Sequence, residues 1–174
     1  GSGERTVSMG GGRFVISVND AVLSTADSVG APETIALSSG SSIISSNAGP
    51  DPGADVQLTA SSIQMDGASI QSLTTGDGSG GNISITAALD GGPISSTAGS
   101  VQMKGGQIQT ASLGPAKVGD IQINSSSLSM TDGALIDSLL VPNPLLPGQP
   151  AGGTIAITAA DSIVVTGQRP GTTS

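Results

Sequence analysis

The feature that most constrains this chain is a strand pattern that returns five times, in a repeat of about 27 residues that the other copies lengthen with extra residues at the corners between strands. In most occurrences apolar residues alternate with polar ones, and most occurrences open on glycine. A period of this size indicates stacked units, each too small to bury its own apolar side chains. The five occurrences lie at residues 12–16, 54–58, 81–85, 119–123 and 153–157.

Each repeat holds three alternating segments rather than one. A period of two is typical of a strand with one buried face. In the shortest repeat, seven positions separate the first segment from the second and the second from the third, and thirteen lead to the next repeat. These segments are marked by the pairs Val56 and Leu58, Ile63 and Met65, and Ile70 and Ser72.

Stacking the repeats in register predicts an all-β fold, a parallel β-helix of about five triangular rungs with three short strands each. Like residues would lie about 4.8 Å apart along the axis, and each buried aliphatic side chain would stabilise the core by roughly 1.5–3 kcal/mol. The predicted columns are Phe14, Val56, Ile83, Ile121 and Ile155 on strand one, Ile35, Ile63, Val101, Leu128 and Ile163 on strand two, and Ile43, Ile70, Ile108 and Ile136 on strand three.

Polar residues and glycines have definite places in this pattern. Strand three carries a polar column of Ser45, Ser72, Thr110 and Ser138, whose hydroxyls we expect to bond to one another or to turn backbone. Glycines such as Gly67, Gly106 and Gly133 follow strand two, where a tight corner requires positive φ. Residues 1–174 are therefore expected to form a single segment with rungs beginning near residues 12, 54, 81, 119 and 153, as a piece of a longer protein.

Composition excludes several classes of function. The chain has no Cys or His, and therefore lacks the usual zinc ligands and nucleophile–base pairs. A net charge of −8 with only five Lys and Arg, and one aromatic residue, argues against nucleic-acid binding. Because no apolar run approaches the length of a membrane helix, we expect no transmembrane segment.

The repeats resemble those of filamentous-haemagglutinin-type exoproteins, the large surface adhesins of two-partner secretion. The resemblance rests on residues 62–70, 81–87 and 127–134 and extends over roughly residues 12–167. It implies a right-handed parallel β-helix, export through an outer-membrane transporter, and a role in adhesion or the surface layer of a Gram-negative bacterium. The secretion motifs of that family's N-terminal domain are absent, since Pro142, Asn143 and Pro144 lie in a corner loop. We therefore expect an internal shaft segment.

Acidic residues offer little for catalysis, which in β-helix polysaccharide enzymes needs clustered carboxylates on one groove. Most are turn residues, but Asp55 and Asp120 share one outward position at the start of strand one, with Asn82 between them. A structural or solubilising role is favoured over a cation or substrate role. Residues 76–82 superficially resemble a calcium-binding nonapeptide, yet the motif occurs once, which favours a plain glycine corner.

The surface feature of most interest is the long corner at residues 139–147. It either folds over one side of the molecule or contacts a partner, because apolar patches in loops mark interaction sites. The candidate interaction residues are Leu139, Leu140, Val141, Leu145 and Leu146.

The sequence thus predicts a non-enzymatic structural or adhesive shaft of a secreted or cell-surface protein, without cofactor or metal. The expected partners are other copies or neighbouring segments stacked end to end, and a host-cell or matrix glycan or protein. The alternative is a glycan-binding β-helix. Ice binding is less favoured because the outward residues of strand one are polar but irregular, and polysaccharide activity is less favoured because most acidic residues lie in turns.

Overall fold

The computed structural model of the protein describes residues 34–88, 99–141 and 152–167, and the backbone of three strands at 6–9, 13–16 and 21–24. All regular secondary structure in these ranges is β-strand. The strands are β1 (Thr6–Met9), β2 (Arg13–Ile16), β3 (Ala21–Ser24), β4 (Thr34–Leu37), β5 (Ser42–Asn47), β6 (Val56–Ala60), β7 (Ser62–Asp66), β8 (Ser69–Thr74), β9 (Ile83–Ala87), β10 (Ser100–Lys104), β11 (Gln107–Ser112), β12 (Ile121–Thr131), β13 (Leu135–Leu140) and β14 (Ile155–Val165).

The strands form three stacks of parallel neighbours. Stack 1 contains β3, β6, β9 and the first halves of β12 and β14. Stack 2 contains β1, β4, β7, β10 and the second halves of β12 and β14. Stack 3 contains β2, β5, β8, β11 and β13. Since β12 and β14 run through two stacks, stacks 1 and 2 belong to one 9-stranded sheet, while stack 3 is a 5-stranded sheet.

The chain visits the stacks in a fixed order. It passes through β6, β7 and β8 and then enters β9, which pairs with β6 in parallel. The same return places β12 beside β9 and β14 beside β12. We call one such pass a rung. The parallel sheets thereby enclose a common interior in a nearly closed, barrel-like arrangement.

The interior is aliphatic and follows the predicted columns through the central rungs. Val56, Ile83 and Ile121 lie in register on stack 1, and each is at most 1% exposed. Ile63 and Val101 on stack 2, and Ile70 and Ile108 on stack 3, are completely buried. Alternate burial along β6, β7 and β8 is what a strand with one inward face requires.

The strand at Arg13–Ile16 corrects the predicted first rung. We expected Phe14 to begin the strand-one column, but β2 pairs with β5 and places Phe14 beside Ile43 in stack 3. The first strand of stack 1 is β3 instead, with Ala21 beside Val56. The error arose because corners before strands one and three both contain glycine, so that residues 12–16 match either position.

The last rung also departs from expectation. Ile155 and Ile163 occupy the predicted inward positions beside Ile121 and Leu128, yet they are 40% and 52% exposed. Burial of an inward side chain needs a rung on each side, and no described residue covers the outer edge of β14. The column positions are therefore correct, while the expected burial at this end is wrong.

Two hydroxyls of the strand-three polar column bond to main-chain groups at the corners. The Ser45 hydroxyl donates to the Ala54 carbonyl at 2.7 Å. The Ser138 hydroxyl accepts from the Gly153 N–H at 3.0 Å. These two contacts confirm the expected bonding of this column to turn backbone, whereas the buried Thr110 hydroxyl has no hydrogen-bond partner. Glycines 67, 105, 106 and 133 have positive φ, as predicted for the corner after strand two.

Candidate functional site

The acidic residues singled out by the sequence lie in a ladder along the corner before stack 1. Asp55, Asn82, Asp120 and Thr154 each directly precede the first residue of a stack 1 strand, and the four strands are in register. The Asp55 carboxylate accepts from the Asn82 N–H at 2.6 Å. The Asn82 side-chain oxygen accepts from the Asp120 N–H at 2.9 Å, and the Asp120 carboxylate accepts from the Thr154 N–H at 2.7 Å. Each side chain thus binds the main chain of the following rung.

The ladder supplies acceptors where the regular pairing begins. At the residue that follows each ladder position, the pairing uses main-chain groups alone. For example, the Ile83 N–H donates to the Asp120 carbonyl at 2.9 Å. A main-chain N–H left without an acceptor would weaken this edge, so the side chains extend the parallel pairing by one residue. This geometry supports the structural role over a cation or substrate role for these residues.

Asp120 also carries the clearest electrostatic contact. The hydrogen bond from the Thr154 N–H lowers the pKa of the Asp120 carboxyl below its ordinary 3.8, burial opposes this, and the Lys117 ammonium lowers it further. The Lys117 Nζ lies 3.3 Å from Oδ2, with both side chains about half exposed. Such an exposed ion pair contributes little to stability, and the main-chain contact is the stronger constraint.

A column of glycines beside the ladder brings successive rungs into close contact. A Cβ on Gly81 would overlap the Ala54 carbonyl, a Cβ on Gly119 would overlap the Gly81 carbonyl, and a Cβ on Gly153 would overlap the Gly119 carbonyl. Only glycine allows the backbone to approach this closely. The repeated pair of glycine followed by Asn, Asp or Thr therefore has a packing reason at its first position and a hydrogen-bonding reason at its second.

The glycine-rich corner at residues 76–82 is also packed against its neighbours. Gly78 donates to the Gly49 carbonyl at 3.1 Å, and Gly80 donates to the Lys117 carbonyl at 2.8 Å. A Cβ on Gly76 or Gly78 would overlap the backbone at Gly49 or Asp51. The corner glycines thus serve contacts between rungs. Within the part of the chain that the structure describes, no three acidic side chains group together as metal ligands.

The predicted apolar corner is present only in part within the described residues. Leu139 and Val141 are exposed and Leu140 is partly buried, while Leu145 and Leu146 lie outside the described residues. The structure adds Leu113, which is 50% exposed and follows the pairing of Ser112 with Leu140. Leu113 therefore lies beside Val141, one rung earlier in the stack. The sequence analysis missed it, although its 28-residue separation from Val141 is close to one repeat.

The outward face of stack 2 contains a shallow polar groove of about 320 Å³. Gln64 and Gln102 are register partners on neighbouring strands. Asp66 and Lys104 are register partners at the end of the same two strands. Ser129 continues the column of Gln64 and Gln102 on the next rung. The arrangement offers amide, hydroxyl, carboxylate and ammonium groups on one open surface and encloses no deep cavity.

Stack 3 has a comparable polar contact on its outward face. The Asp137 carboxylate accepts from the Gln107 side chain at 3.1 Å and from the Gln109 side chain at 2.9 Å. Gln109 and Asp137 are register partners on β11 and β13. Like the ladder on stack 1, this carboxylate bridges neighbouring rungs.

The comparisons with known proteins give no assignment. Family models, curated proteins and solved structures were compared with the chain, and none matches it. Among the described residues there is also no helix with the length and apolar character needed to cross a bilayer.

Proposed function

We propose that this chain is a right-handed parallel β-helix that serves as a non-enzymatic structural shaft in a secreted or cell-surface protein of a Gram-negative bacterium. The ladder of Asp55, Asn82, Asp120 and Thr154 carries the proposal. The side chains of Asp55, Asn82 and Asp120 accept hydrogen bonds from the main chain of the next rung at 2.6–2.9 Å, so they serve to join rungs. In a stack whose units contact only their neighbours, contacts between adjacent rungs supply part of the stability of the whole.

The helical part of the proposal rests on the order of the three stacks. Each return to the same stack adds one parallel strand beside the last, as with β6, β9 and β12. Parallel strands joined through a crossover are right-handed in about 98% of cases, which supports the proposed hand. A stack of this kind tolerates additional rungs, whereas a closed barrel depends on a fixed number of strands.

Duplicating one rung tests the β-helix against a closed barrel. A second copy of residues 54–80, inserted after residue 80, adds one complete 27-residue repeat. We expect a cooperative thermal transition at an unchanged or higher temperature, and an increase in axial length of about 4.8 Å. The matched control duplicates residues 54–73 and breaks the phase of the repeat. Loss of cooperative unfolding in the first variant would contradict the β-helix.

The cellular part of the proposal has a separate test. Antibodies raised against the 174-residue chain should label intact cells of the source organism, and protease added to those cells should remove the label. Labelling that appears only after the cells are opened would contradict a role at the cell surface.

Glycan binding is the second candidate, and the groove on stack 2 favours it. Gln64 and Gln102 present amides at the spacing of adjacent strands, with the Ser129 hydroxyl in the same column. Amides and hydroxyls in register suit the repeated hydroxyl groups of a sugar chain. A glycan array probed with the protein should show binding that a double Gln64→Ala and Gln102→Ala variant loses and that a Gln71→Ala variant on stack 3 retains.

A further inference from the structure

Aspartate followed by glycine is the dipeptide in which a main-chain nitrogen attacks the preceding side chain with the least steric hindrance, because glycine has no Cβ. The described part of the chain contains three such pairs, at residues 66–67, 77–78 and 132–133. In all three the aspartate is exposed. What distinguishes the pairs is therefore the glycine N–H, the group that would react with the carboxyl carbon of the aspartate.

Two of the three glycines donate this N–H to a neighbouring rung. The Gly67 N–H donates to the Lys104 carbonyl at 2.9 Å, and the Gly78 N–H donates to the Gly49 carbonyl at 3.1 Å. The Gly133 N–H has no acceptor among the described residues. Reaction at residue 67 or 78 must first break a main-chain hydrogen bond between rungs, whereas Gly133 carries no such constraint.

The main chain at Asp132 has a conformation that glycine takes in the preceding rung. Asp132 has a φ of 54° and is the one non-glycine residue with positive φ in the described part of the chain. Gly133 has a φ of 76°, and the Ala134 N–H donates to the Thr131 carbonyl at 3.1 Å, which closes a tight turn. The corresponding corner after β10 uses two glycines, with φ of 64° and 78°. A side chain at positive φ is strained where glycine is not.

The turn also lies outside the paired residues of both sheets. The pairing of β10 with β12 ends at Thr131, and the pairing of β11 with β13 begins at Leu135. Asp132 and Gly133 lie between these residues, so they can move without opening either sheet. Local movement of this kind needs far less free energy than the unfolding of a rung.

We propose that Asp132 is a site of spontaneous modification, at which aspartate is converted to isoaspartate through a succinimide ring. The Gly133 nitrogen gives up its proton and bonds to the carboxyl carbon of Asp132, and one carboxyl oxygen leaves as water. Water then reopens the ring. Its attack on the main-chain carbonyl carbon of Asp132 breaks the bond to the Gly133 nitrogen and yields isoaspartate, whereas attack on the side-chain carbonyl carbon restores aspartate. One water is released and one is consumed, so the reaction needs no other reagent.

The product keeps the negative charge and changes the corner. The main chain of isoaspartate runs through the side-chain carbon, which adds one methylene between β12 and β13. The strain of a side chain at positive φ is thereby released. This modification is independent of the proposed structural role.

Isoaspartate can be measured at all three pairs in one sample of the 174-residue chain. The folded protein is incubated at neutral pH, digested with pepsin in acid and analysed by electron-transfer mass spectrometry, which distinguishes isoaspartate from aspartate. We expect isoaspartate to accumulate about tenfold faster at residue 132 than at residues 66 and 77, as a difference of one main-chain hydrogen bond implies. In the chain unfolded by guanidinium, the three rates should be similar, because only the fold distinguishes the pairs.

Asparagine variants give a second readout, because their succinimide releases ammonia and the ring-opened products carry a new negative charge. Asparagine tolerates positive φ as aspartate does, so Asp132→Asn should keep the turn. Anion-exchange chromatography should show the new charge appearing about tenfold faster in Asp132→Asn than in the matched Asp66→Asn variant.

Three results would overturn the inference. The first is a folded chain that forms isoaspartate at residue 66 or 77 as fast as at residue 132. The second is a folded chain that forms none at residue 132 under conditions in which the unfolded chain, returned to neutral pH, reacts there. The third is an equal rate of charge gain in Asp132→Asn and Asp66→Asn. None of them bears on labelling of intact cells or on tolerance of a duplicated rung, which test the structural role itself.

Discussion

Single residues in the interior are held between like residues on neighbouring rungs. Ile123 is completely buried and lies in register between Ile85 and Ile157. Ile123→Asp would place an uncompensated charge in this aliphatic column, which costs about 3–5 kcal/mol, and we expect the central rungs to unfold. Circular dichroism during urea denaturation measures the change. Gln122→Asp, one residue away on the outward face, should shift the midpoint little, and equal sensitivity at both positions would contradict the assigned register.

Asp120 should make stability depend on pH in a definite direction. Its folded pKa is lowered by the Thr154 N–H, so its contribution is present above the unfolded pKa and is lost as pH falls through the lower folded pKa. As pH falls through this acidic range, the urea midpoint of the unchanged chain should decrease. The decrease should be smaller in the Asp120→Asn variant, which lacks the titrating carboxyl. Asp77→Asn, on the exposed corner, is the control and should keep the full dependence. An identical acid response in Asp120→Asn and the unchanged chain would contradict the ladder contact.

At the scale of the element, the corner before stack 1 depends on close backbone approach. A Cβ on Gly119 would overlap the Gly81 carbonyl, and neither backbone segment can move without disturbing the pairing on both sides. We expect Gly119→Ala to destabilise the protein by about 1–3 kcal/mol, as overpacking does. Gly152→Ala is the control, because its Cβ would lie 4.0 Å from the Ser138 carbonyl oxygen, an ordinary contact distance. Thermal melts compare the two variants, and an unchanged Gly119→Ala would show that the corner is loosely packed.

The alternating pattern predicts where a strand lies, but it does not by itself predict the stack to which the strand belongs. Residues 83–87 and 121–125 were assigned correctly because thirteen positions separate them from the preceding strand of stack 3. Arg13–Ile16 was assigned to the wrong stack because glycine and alternation occur before strand three as well. The seven-residue step from Val7 to Phe14 equals the step from strand two to strand three, and it is the signal that would have placed β2 beside β5.

At the scale of the whole molecule, the sequence predicted which residues repeat but not which contacts they make. Asp55, Asn82 and Asp120 were recognised as sharing one position, and their bonds to the next rung depend on backbone geometry that a residue pattern does not contain. Leu113 was missed because it lies outside any strand and its place beside Val141 depends on the pairing of Ser112 with Leu140. Periodicity therefore predicted the apolar columns, whereas the hydrogen bonds of the ladder could be seen only in the structure of the corners.

The stacked arrangement also predicts how stability varies along the axis. β7, β8, β10 and β11 each have a paired strand on both sides, whereas β14 is paired with β12 alone. In a stack whose rungs contact only their neighbours, opening begins at the ends. We expect amide hydrogen exchange to be at least tenfold slower in the central strands than in β14 at low protein concentration, measured by mass spectrometry of peptic fragments. Uniform exchange along all rungs would mean that the molecule opens only as one unit, and it would contradict nearest-neighbour stacking as the source of its stability.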